Sequence, residues 1–220
     1  GKGHPDAAKR REAVRAAMER ERADLARRAE AEAAQVPMPA LSLVLALAKS
    51  APANVTLVEE AISSVAGIRH FFRCADPKSL FALRGGGIGW GLPAALGVKL
   101  ALPDRPVLAL IGDGSAMYTN QALWTAARES LAVVYVIFNN ASYRILKQRT
   151  HQMKGFSAED DHYVGMDLDR PLIDWVGLAR SLGVPGERIE KVSDVGPSVG
   201  RGFASGGPYL IDARIDPAFK

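Results

Sequence analysis

The chain has 220 residues, 48% of them hydrophobic and 24% charged, the composition of a globular domain with or without an appendage. Its formal net charge is only +4, and basic residues are mixed with acidic ones, so we expect no nucleic-acid binding. The single cysteine, Cys74, excludes an internal disulfide and favours a cytoplasmic location, and the apolar runs are too short to cross a membrane.

The first predicted element is a polar helix over residues 6–35, a stretch rich in Ala, Arg and Glu. Its apolar side chains form only a narrow seam, made of Val14, Met18 and Leu25. This pattern favours a solvated helix with one contact edge over a coiled coil or a partner-docking helix. Because Pro37 breaks the helical pattern, we divide the chain into a helical linker or appendage, 1–36, and a domain, 37–220.

Beyond this helix, short apolar runs alternate with helical segments. The predicted strands are 55–58, 106–111, 132–138 and 208–215. The predicted helices are at about 89–101, 115–129, 142–153 and 172–182. Strands rich in Val and Ile that are separated by helices predict an α/β fold, in which a parallel sheet is flanked by helices on both faces. In such sheets, ligands bind beyond the carboxyl ends of the strands.

A glycine-rich segment, Gly85-Gly-Gly-Ile-Gly-Trp-Gly91, invites comparison with the dinucleotide-binding fingerprint. The pattern G-x-G-x-x-G fails, because Leu92 or Trp90 stands where its last glycine is required. We therefore do not predict a nicotinamide or flavin site of that type. Two interpretations stay open: a simple turn into a helix, or a turn that lets a flat cofactor lie against bare backbone.

Two polar turns follow neighbouring predicted strands. Gly112-Asp-Gly-Ser115 comes after one strand, and Asn139-Asn140 comes after the next. Each alone is a common turn, but together they place a carboxylate and an amide oxygen at one edge of the sheet. Hard oxygen ligands beside a glycine-rich turn suit a Mg²⁺ ion that carries a diphosphate. A nucleotide site built on Asp113 is disfavoured, because the P-loop lysine is missing from the sequence.

With its surroundings, this pair of turns resembles the signature of thiamin-diphosphate-dependent enzymes. The segments 89–97 and 112–127 are similar to 2-oxoacid decarboxylases of the benzoylformate decarboxylase type and to their acetolactate-synthase-like relatives. The similarity covers about residues 40–220. It implies the thiamin-diphosphate-binding fold of the family's C-terminal, diphosphate-binding domain, with thiamin diphosphate and Mg²⁺ as cofactors.

The resemblance also implies roles for individual residues. Mg²⁺ would be bound by Asp113, by the side-chain oxygen of Asn140 and by the backbone carbonyl of Ser142. Two diphosphate oxygens and a water would complete the octahedron that magnesium prefers. The residues implied to contact the diphosphate are Gly114, Ser115, Tyr143 through its backbone, and Ser63 through its hydroxyl.

Further residues are implied to bind the organic part of the cofactor and the substrate. The Gly86 carbonyl would accept a hydrogen bond from the aminopyrimidine, and Ile88 would hold the two rings in a bent shape. Leu146 and Arg149 fall in the region that lines the substrate pocket in relatives. Arg149 argues for an anionic substrate rather than benzoylformate, unless it is a surface arginine. Glu60 ends a strand on the cofactor side, where a solvated or salt-bridged carboxylate is favoured.

The family's chemistry needs a glutamate against the pyrimidine ring, to assist removal of the thiazolium proton. In the family, that glutamate belongs to a separate domain, usually of the neighbouring subunit. The implied partners are therefore a pyrimidine-binding domain, in the full-length chain or in a second subunit, a homo-oligomeric assembly, and a 2-oxo acid substrate. We expect this chain to be part of a decarboxylase or carboligase and to be inactive alone. The alternative is a non-catalytic subunit that binds thiamin diphosphate or serves in assembly.

Overall fold

The computed structural model describes residues 6–64 and 66–219. In this part of the chain, the strands are β1 (Thr56–Glu60), β2 (Leu80–Ala82), β3 (Val107–Gly112), β4 (Val133–Asn139), β5 (Gly186–Ile189) and β6 (Tyr209–Arg214). The helices are α1 (Ala7–Ala31), α2 (Ala40–Ser50), α3 (Ile68–Phe71), α4 (Gly91–Ala101), α5 (Asp113–Ala116), α6 (Ala122–Arg128), α7 (Arg144–Gln152), α8 (Phe156–Glu159), α9 (Trp175–Ser181) and α10 (Val192–Ala204).

The strands form one parallel sheet in the order β2-β1-β3-β4-β6-β5. Strand β2 lies on one side of β1 and strand β3 lies on the other, so the chain changes direction across the sheet at this point. The loops that follow β1 and β3 consequently leave the sheet in opposite directions. This opens a crevice at the carboxyl ends of the two strands, where α/β proteins bind ligands.

The two central strands, β3 and β4, are buried on both faces, which explains their continuous apolar sequence. Successive side chains point to opposite faces. Leu108 and Leu110 belong to the core beneath α2 and α10, whereas Ala109 and Ile111 belong to the core beneath α4, α6 and α9. The largest fully buried side chain, Trp175, lies in the second core. The sheet is therefore held rigidly between two apolar layers, and its strand ends are fixed relative to one another.

The predicted polar helix forms over Ala7–Ala31, and its carboxyl-terminal part packs against the rest of the chain. Ala29 is buried, and its carbonyl accepts a hydrogen bond of 2.7 Å from the Ser42 hydroxyl. Of the three residues of the apolar seam, only Leu25 is half-buried, whereas Val14 and Met18 are 58% and 52% exposed. The division into an appendage and a domain stays a prediction.

The predicted parallel α/β fold is confirmed, and the predicted strands correspond to β1, β3, β4 and β6. The short strands β2 and β5 were not predicted, nor were helices α2 and α10. The single helix predicted over 115–129 is wrong, since α5 ends at Ala116 and α6 begins only at Ala122. Within the described residues, no helix combines the length and the apolar character needed to cross a membrane.

Candidate functional site

The residues implied for metal and diphosphate binding meet at the carboxyl ends of β1, β3 and β4. The register pairs Glu60 with Ile111, and Gly112 with Phe138, so the three strands end side by side. The loops that follow them enclose a small cavity. Its lining includes Ser63, Gly114, Ser115, Asn140, Ser142 and Tyr143. The sequence-predicted diphosphate and metal residues are thus brought together by the sheet.

Asp113 begins α5 directly after β3 and is only 2% exposed. One carboxylate oxygen, Oδ1, accepts a hydrogen bond of 2.9 Å from the Gly114 N–H. The other, Oδ2, is buried and has no hydrogen-bond partner among the described residues. Burial raises the pKa of Asp113 to about 6, although the N–H groups of Gly114, Ala141 and Ser142 favour its charged form. A buried carboxylate oxygen without a partner is a ready ligand for a cation.

Asn140 lies in the turn after β4, where Ala141 has a left-handed backbone with φ of 55°. Its Oδ1 accepts hydrogen bonds of 3.0 Å from both the N–H and the hydroxyl of Ser142. Both residues are buried. Coordination of a metal by this oxygen therefore requires the Ser142 hydroxyl to turn away, which rotation about its Cα–Cβ bond allows.

Asn139, the first residue of the same pair, has a different task. Its side chain donates to Asp212 at 2.7 Å and accepts from Arg214 at 2.9 Å, both on β6. Asn139 therefore fixes the end of β4 against β6, whereas Asn140 lines the small cavity.

The glycine at position 114 is required by the ring of Tyr143. A Cβ atom at this position would lie 2.6 Å from Cδ1 of that ring, closer than real contacts allow. The ring therefore rests directly on the backbone of the Gly112–Ser115 turn. This contact holds the start of α7 against the turn that follows β3. It therefore fixes the positions of these two walls of the small cavity relative to each other.

Glu60 contradicts the expectation of a solvated or salt-bridged carboxylate. It is fully buried, and it accepts three backbone hydrogen bonds, from Gly89 at 2.8 Å, Trp90 at 3.1 Å and Gly91 at 2.6 Å. These N–H groups belong to the turn that leads into α4, and they would otherwise have no partner. Glu60 therefore anchors the glycine-rich turn to the end of β1. A Cβ at Gly91 would lie 2.8 Å from its Oε2, so only glycine permits this approach.

The glycine-rich turn forms one wall of a second, larger cavity of about 810 Å³. Gly85, Gly86 and Gly87 are exposed, with open space where side chains would be. Ile88 lines both the larger and the small cavity. A side chain in this position separates whatever occupies one cavity from whatever occupies the other. Of the two interpretations of the glycine-rich turn, the geometry favours the one in which bare backbone faces a flat ligand.

The structure separates the two residues that were assigned to the substrate pocket. Leu146 lines the larger cavity and is 48% exposed. Arg149 is exposed further along α7, and its guanidinium donates to Gln152 at 3.1 Å instead of lining the cavity. The geometry therefore favours the surface-arginine interpretation of Arg149.

Several residues that line the two cavities were not assigned from the sequence, among them Glu59, Tyr118 and Arg144. Glu59 and Tyr118 line the larger cavity, and burial raises the pKa of Glu59. Arg144 lines the small cavity and is 7% exposed. A charged residue directly after an implied ligand-binding turn was a usable signal for Arg144. No comparable signal marked Tyr118, because its exposure to the cavity depends on the break between α5 and α6.

Comparison with known proteins agrees with this geometry. Residues 62–213 match the family model described as thiamine pyrophosphate enzyme, C-terminal TPP binding domain. The protein IlvX of Mycobacterium tuberculosis (strain H37Rv), provisionally named an acetolactate synthase large subunit, is 41% identical over 142 residues, 64% of this chain and 28% of that protein. Benzoylformate decarboxylase of Pseudomonas aeruginosa is 33% identical over 162 residues, 74% of this chain and 29% of that enzyme.

A solved structure gives the same result. The thiamine diphosphate-dependent 4-hydroxybenzoylformate decarboxylase of Rhodococcus jostii RHA1 superposes with a TM-score of 0.77 at 32% identity. The alignment covers 84% of this chain and 34% of that one. The chain thus spans about a third or less of the length of these relatives. With the family model matching well over half of its residues, the chain belongs to the thiamine pyrophosphate enzymes and carries their C-terminal TPP-binding domain.

Proposed function

We propose that the chain binds thiamin diphosphate through Mg²⁺ and forms the diphosphate-binding part of a 2-oxoacid decarboxylase or carboligase. The observation that carries this proposal is Asp113, whose Oδ2 is buried without a partner at the edge of a cavity lined by glycine and serine. Burying a carboxylate oxygen that has no hydrogen-bond partner costs free energy, and a divalent cation bound to that oxygen would remove this cost.

The residues of the small cavity fit a metal and a diphosphate. Asp113, the Asn140 side-chain oxygen and the Ser142 carbonyl would hold the Mg²⁺ ion. The groups that would hold the diphosphate are the backbones of Gly114, Ser115 and Tyr143 and the hydroxyl of Ser63. Carboxylate, amide and carbonyl oxygens are hard ligands, which suits Mg²⁺ and disfavours softer metals. Fixed N–H and hydroxyl donors would stabilise the phosphate oxygens without reorganising.

The larger cavity would hold the organic part of the cofactor and the substrate. When bound, the cofactor supplies a thiazolium carbon that can accept the electron pair left when a 2-oxo acid loses CO₂. The chain itself contributes orientation and exclusion of water. The Gly86 carbonyl would accept from the aminopyrimidine, Ile88 would hold the rings bent, and Leu146 would cover the substrate side with apolar surface.

The intact enzyme would also need groups beyond those described here. We propose that a pyrimidine-binding domain, in the full-length chain or in a second subunit, supplies a glutamate to the cofactor, within a homo-oligomer. The substrate class is a 2-oxo acid. The relatives named as benzoylformate decarboxylase and acetolactate synthase support this class, and the exposed position of Arg149 removes the main argument for a second anionic group on the substrate.

The proposal is tested by titrating the 220-residue protein with thiamin diphosphate in a calorimeter, with Mg²⁺ and with a chelator. We expect binding only when Mg²⁺ is present, because the carboxylate and the diphosphate repel each other without it. Thiamin without phosphates is the control ligand and should give no heat. Binding that survives chelation would contradict the metal site, and no binding at millimolar ligand would contradict the proposal as a whole.

A second expected result concerns activity. The chain alone, saturated with Mg²⁺ and thiamin diphosphate, should release no CO₂ from 2-oxo acids, since the pyrimidine-activating glutamate is proposed to come from another domain. The measurement is a coupled assay for CO₂ or aldehyde release, with benzoylformate and pyruvate as substrates. Turnover by the pure chain would show that the proton-removal machinery is present within it and would refute this part of the proposal.

A further inference from the structure

The first residue of α7, Arg144, is a buried cation at the wall of the small cavity. It is 7% exposed, and its guanidinium makes four hydrogen bonds. Nε donates to Ser63 Oγ at 3.1 Å, Nη1 to the Asp216 carbonyl at 3.0 Å, and Nη2 both to the Ser63 carbonyl at 3.0 Å and to Ser64 Oγ. A guanidinium has five N–H donors, so one donor on Nη1 is left over.

All four acceptors of Arg144 are neutral. Among the described residues, it forms no ion pair with a carboxylate within salt-bridge distance. The carboxylates of Asp113 and Asp216 act on it only from a longer distance. Asp113 is the proposed ligand of Mg²⁺, so its negative charge would be balanced by the metal and not by Arg144. A buried cation whose contacts are all neutral calls for an anion, because burial strongly disfavours an uncompensated charge.

The hydrogen bonds of Arg144 also set the direction of two hydroxyl groups. Ser63 Oγ and Ser64 Oγ each accept an N–H from the guanidinium. A hydroxyl that accepts in this way keeps its own hydrogen free to donate elsewhere. Both serines line the same small cavity as Arg144 and Asp113. The arginine therefore lies behind two hydroxyl donors, and all three groups favour an anion in that cavity.

We propose that Arg144 is the fixed counter-charge of the diphosphate and the residue that positions Ser63 and Ser64 as donors to it. This inference rests on the proposed function and deepens it. Mg²⁺ would be held by the turns after β3 and β4, whereas Arg144, which begins α7 after β4, is braced against the loop after β1. Part of the affinity for the diphosphate would therefore come from Arg144, in addition to the part that Mg²⁺ supplies.

The experiment compares the wild type with Arg144→Met, Arg144→Lys and Arg180→Met by calorimetric titration with thiamin diphosphate in Mg²⁺. Arg144→Met should weaken binding by about 10- to 100-fold, the usual effect of losing a charge-assisted contact. Arg144→Lys keeps the charge but loses the fork on Ser63, so it should recover part of the loss and remain about threefold or more weaker than wild type. Arg180, exposed on α9, controls for the change in net charge and should bind as wild type does.

A second readout separates this role from a purely structural one. Inorganic pyrophosphate with Mg²⁺ should raise the melting temperature of the wild type above its value in Mg²⁺ alone, while Arg144→Met should lose most of that rise. If Arg144 only held the loops together, Arg144→Met would instead lower the melting temperature of the ligand-free protein and leave its affinity for thiamin diphosphate unchanged.

Affinity of Arg144→Met within twofold of a wild type that does bind would overturn the inference and leave the proposed function standing. Absence of binding by the wild type would mean that the proposed function itself fails. If Arg144→Met does not fold, Arg144→Lys decides, and affinity equal to that of the wild type overturns the inference.

Discussion

Replacement of Glu60 by alanine is expected to lower the free energy of unfolding by about 3–5 kcal/mol. The carboxylate is fully buried and accepts the N–H groups of Gly89, Trp90 and Gly91. Its removal would leave these donors without partners in a place where little water can reach, and would leave a void beside Ile111. The glycine-rich turn would then lose its attachment to β1, and the larger cavity would lose a wall.

The measurement is urea denaturation followed by circular dichroism, with two companion variants. Glu60→Gln keeps the shape and one acceptor oxygen but puts an NH₂ group against backbone donors, so about half of the loss is expected. Glu59→Ala removes a neighbouring carboxylate that accepts one backbone bond, from Ala61 at 3.1 Å, and should change the unfolding free energy by about 1 kcal/mol or less. A loss below about 1 kcal/mol for Glu60→Ala would show that the turn does not depend on this carboxylate.

The buried strands could be predicted because their sequences carry their own signal. Strand β3 is a continuous run of Val, Leu, Ala and Ile up to Gly112, and β4 is a run of Val and Ile with Tyr135 and Phe138 up to Asn139, a pattern typical of strands covered on both faces. Strand β2 is three half-buried residues, and β5 has the sequence GERI with two charged side chains. Both lie at the edges of the sheet, and their strand geometry comes from pairing with β1 and β6 rather than from their own residues.

The residues of the candidate site also fall into those that could be predicted from the sequence and those that could not. Roles for Ser142 and Tyr143 came only from the family resemblance. The positions of the Gly112–Ser115 and Asn139-Asn140 turns could be predicted, because each turn directly follows a strand that is itself recognisable. The roles of Glu60 and Arg144 could not, because their partners are distant in sequence. Glu60 reaches N–H groups 29–31 residues away, and Arg144 reaches the Ser63–Ser64 loop across 80 residues or more. Such contacts depend on which strands become neighbours, so a carboxylate read as solvated from the sequence turns out to be an internal anchor.

Asp113→Asn is expected to make the cofactor-free protein more stable at pH 8, by about 1–3 kcal/mol, while abolishing Mg²⁺-dependent binding of thiamin diphosphate. The pKa of Asp113 in the folded protein, about 6, lies above the ordinary aspartate value of 3.8 because the carboxylate is buried. The folded protein thus holds this proton more tightly than the unfolded chain does. Stability is therefore highest while the group is protonated, and it falls as the pH rises from about 4 to about 6.

An asparagine resembles the protonated acid at every pH, so the unfavourable contribution disappears in the variant. Its gain over the wild type should be full above pH 6 and should shrink towards zero near pH 4. The measurement is thermal or urea unfolding of both proteins without metal across this range. Asp104→Asn, an exposed position, is the control and should show no such difference. If Asp113→Asn were less stable than the wild type at pH 8, the buried charge of Asp113 would not be destabilising.

The same carboxylate explains why metal binding and stability should oppose each other at this position. If Asp113 is a ligand of Mg²⁺ as proposed, the metal has to displace its proton, so the affinity for the metal and the diphosphate should fall as the pH drops below about 6, the pKa of Asp113. Under the proposed function, the buried oxygen Oδ2, which has no hydrogen-bond partner among the described residues, is the one offered to the metal. If Asp113→Asn bound Mg²⁺ and thiamin diphosphate as tightly as the wild type, the ligand would have to be another group in the cavity.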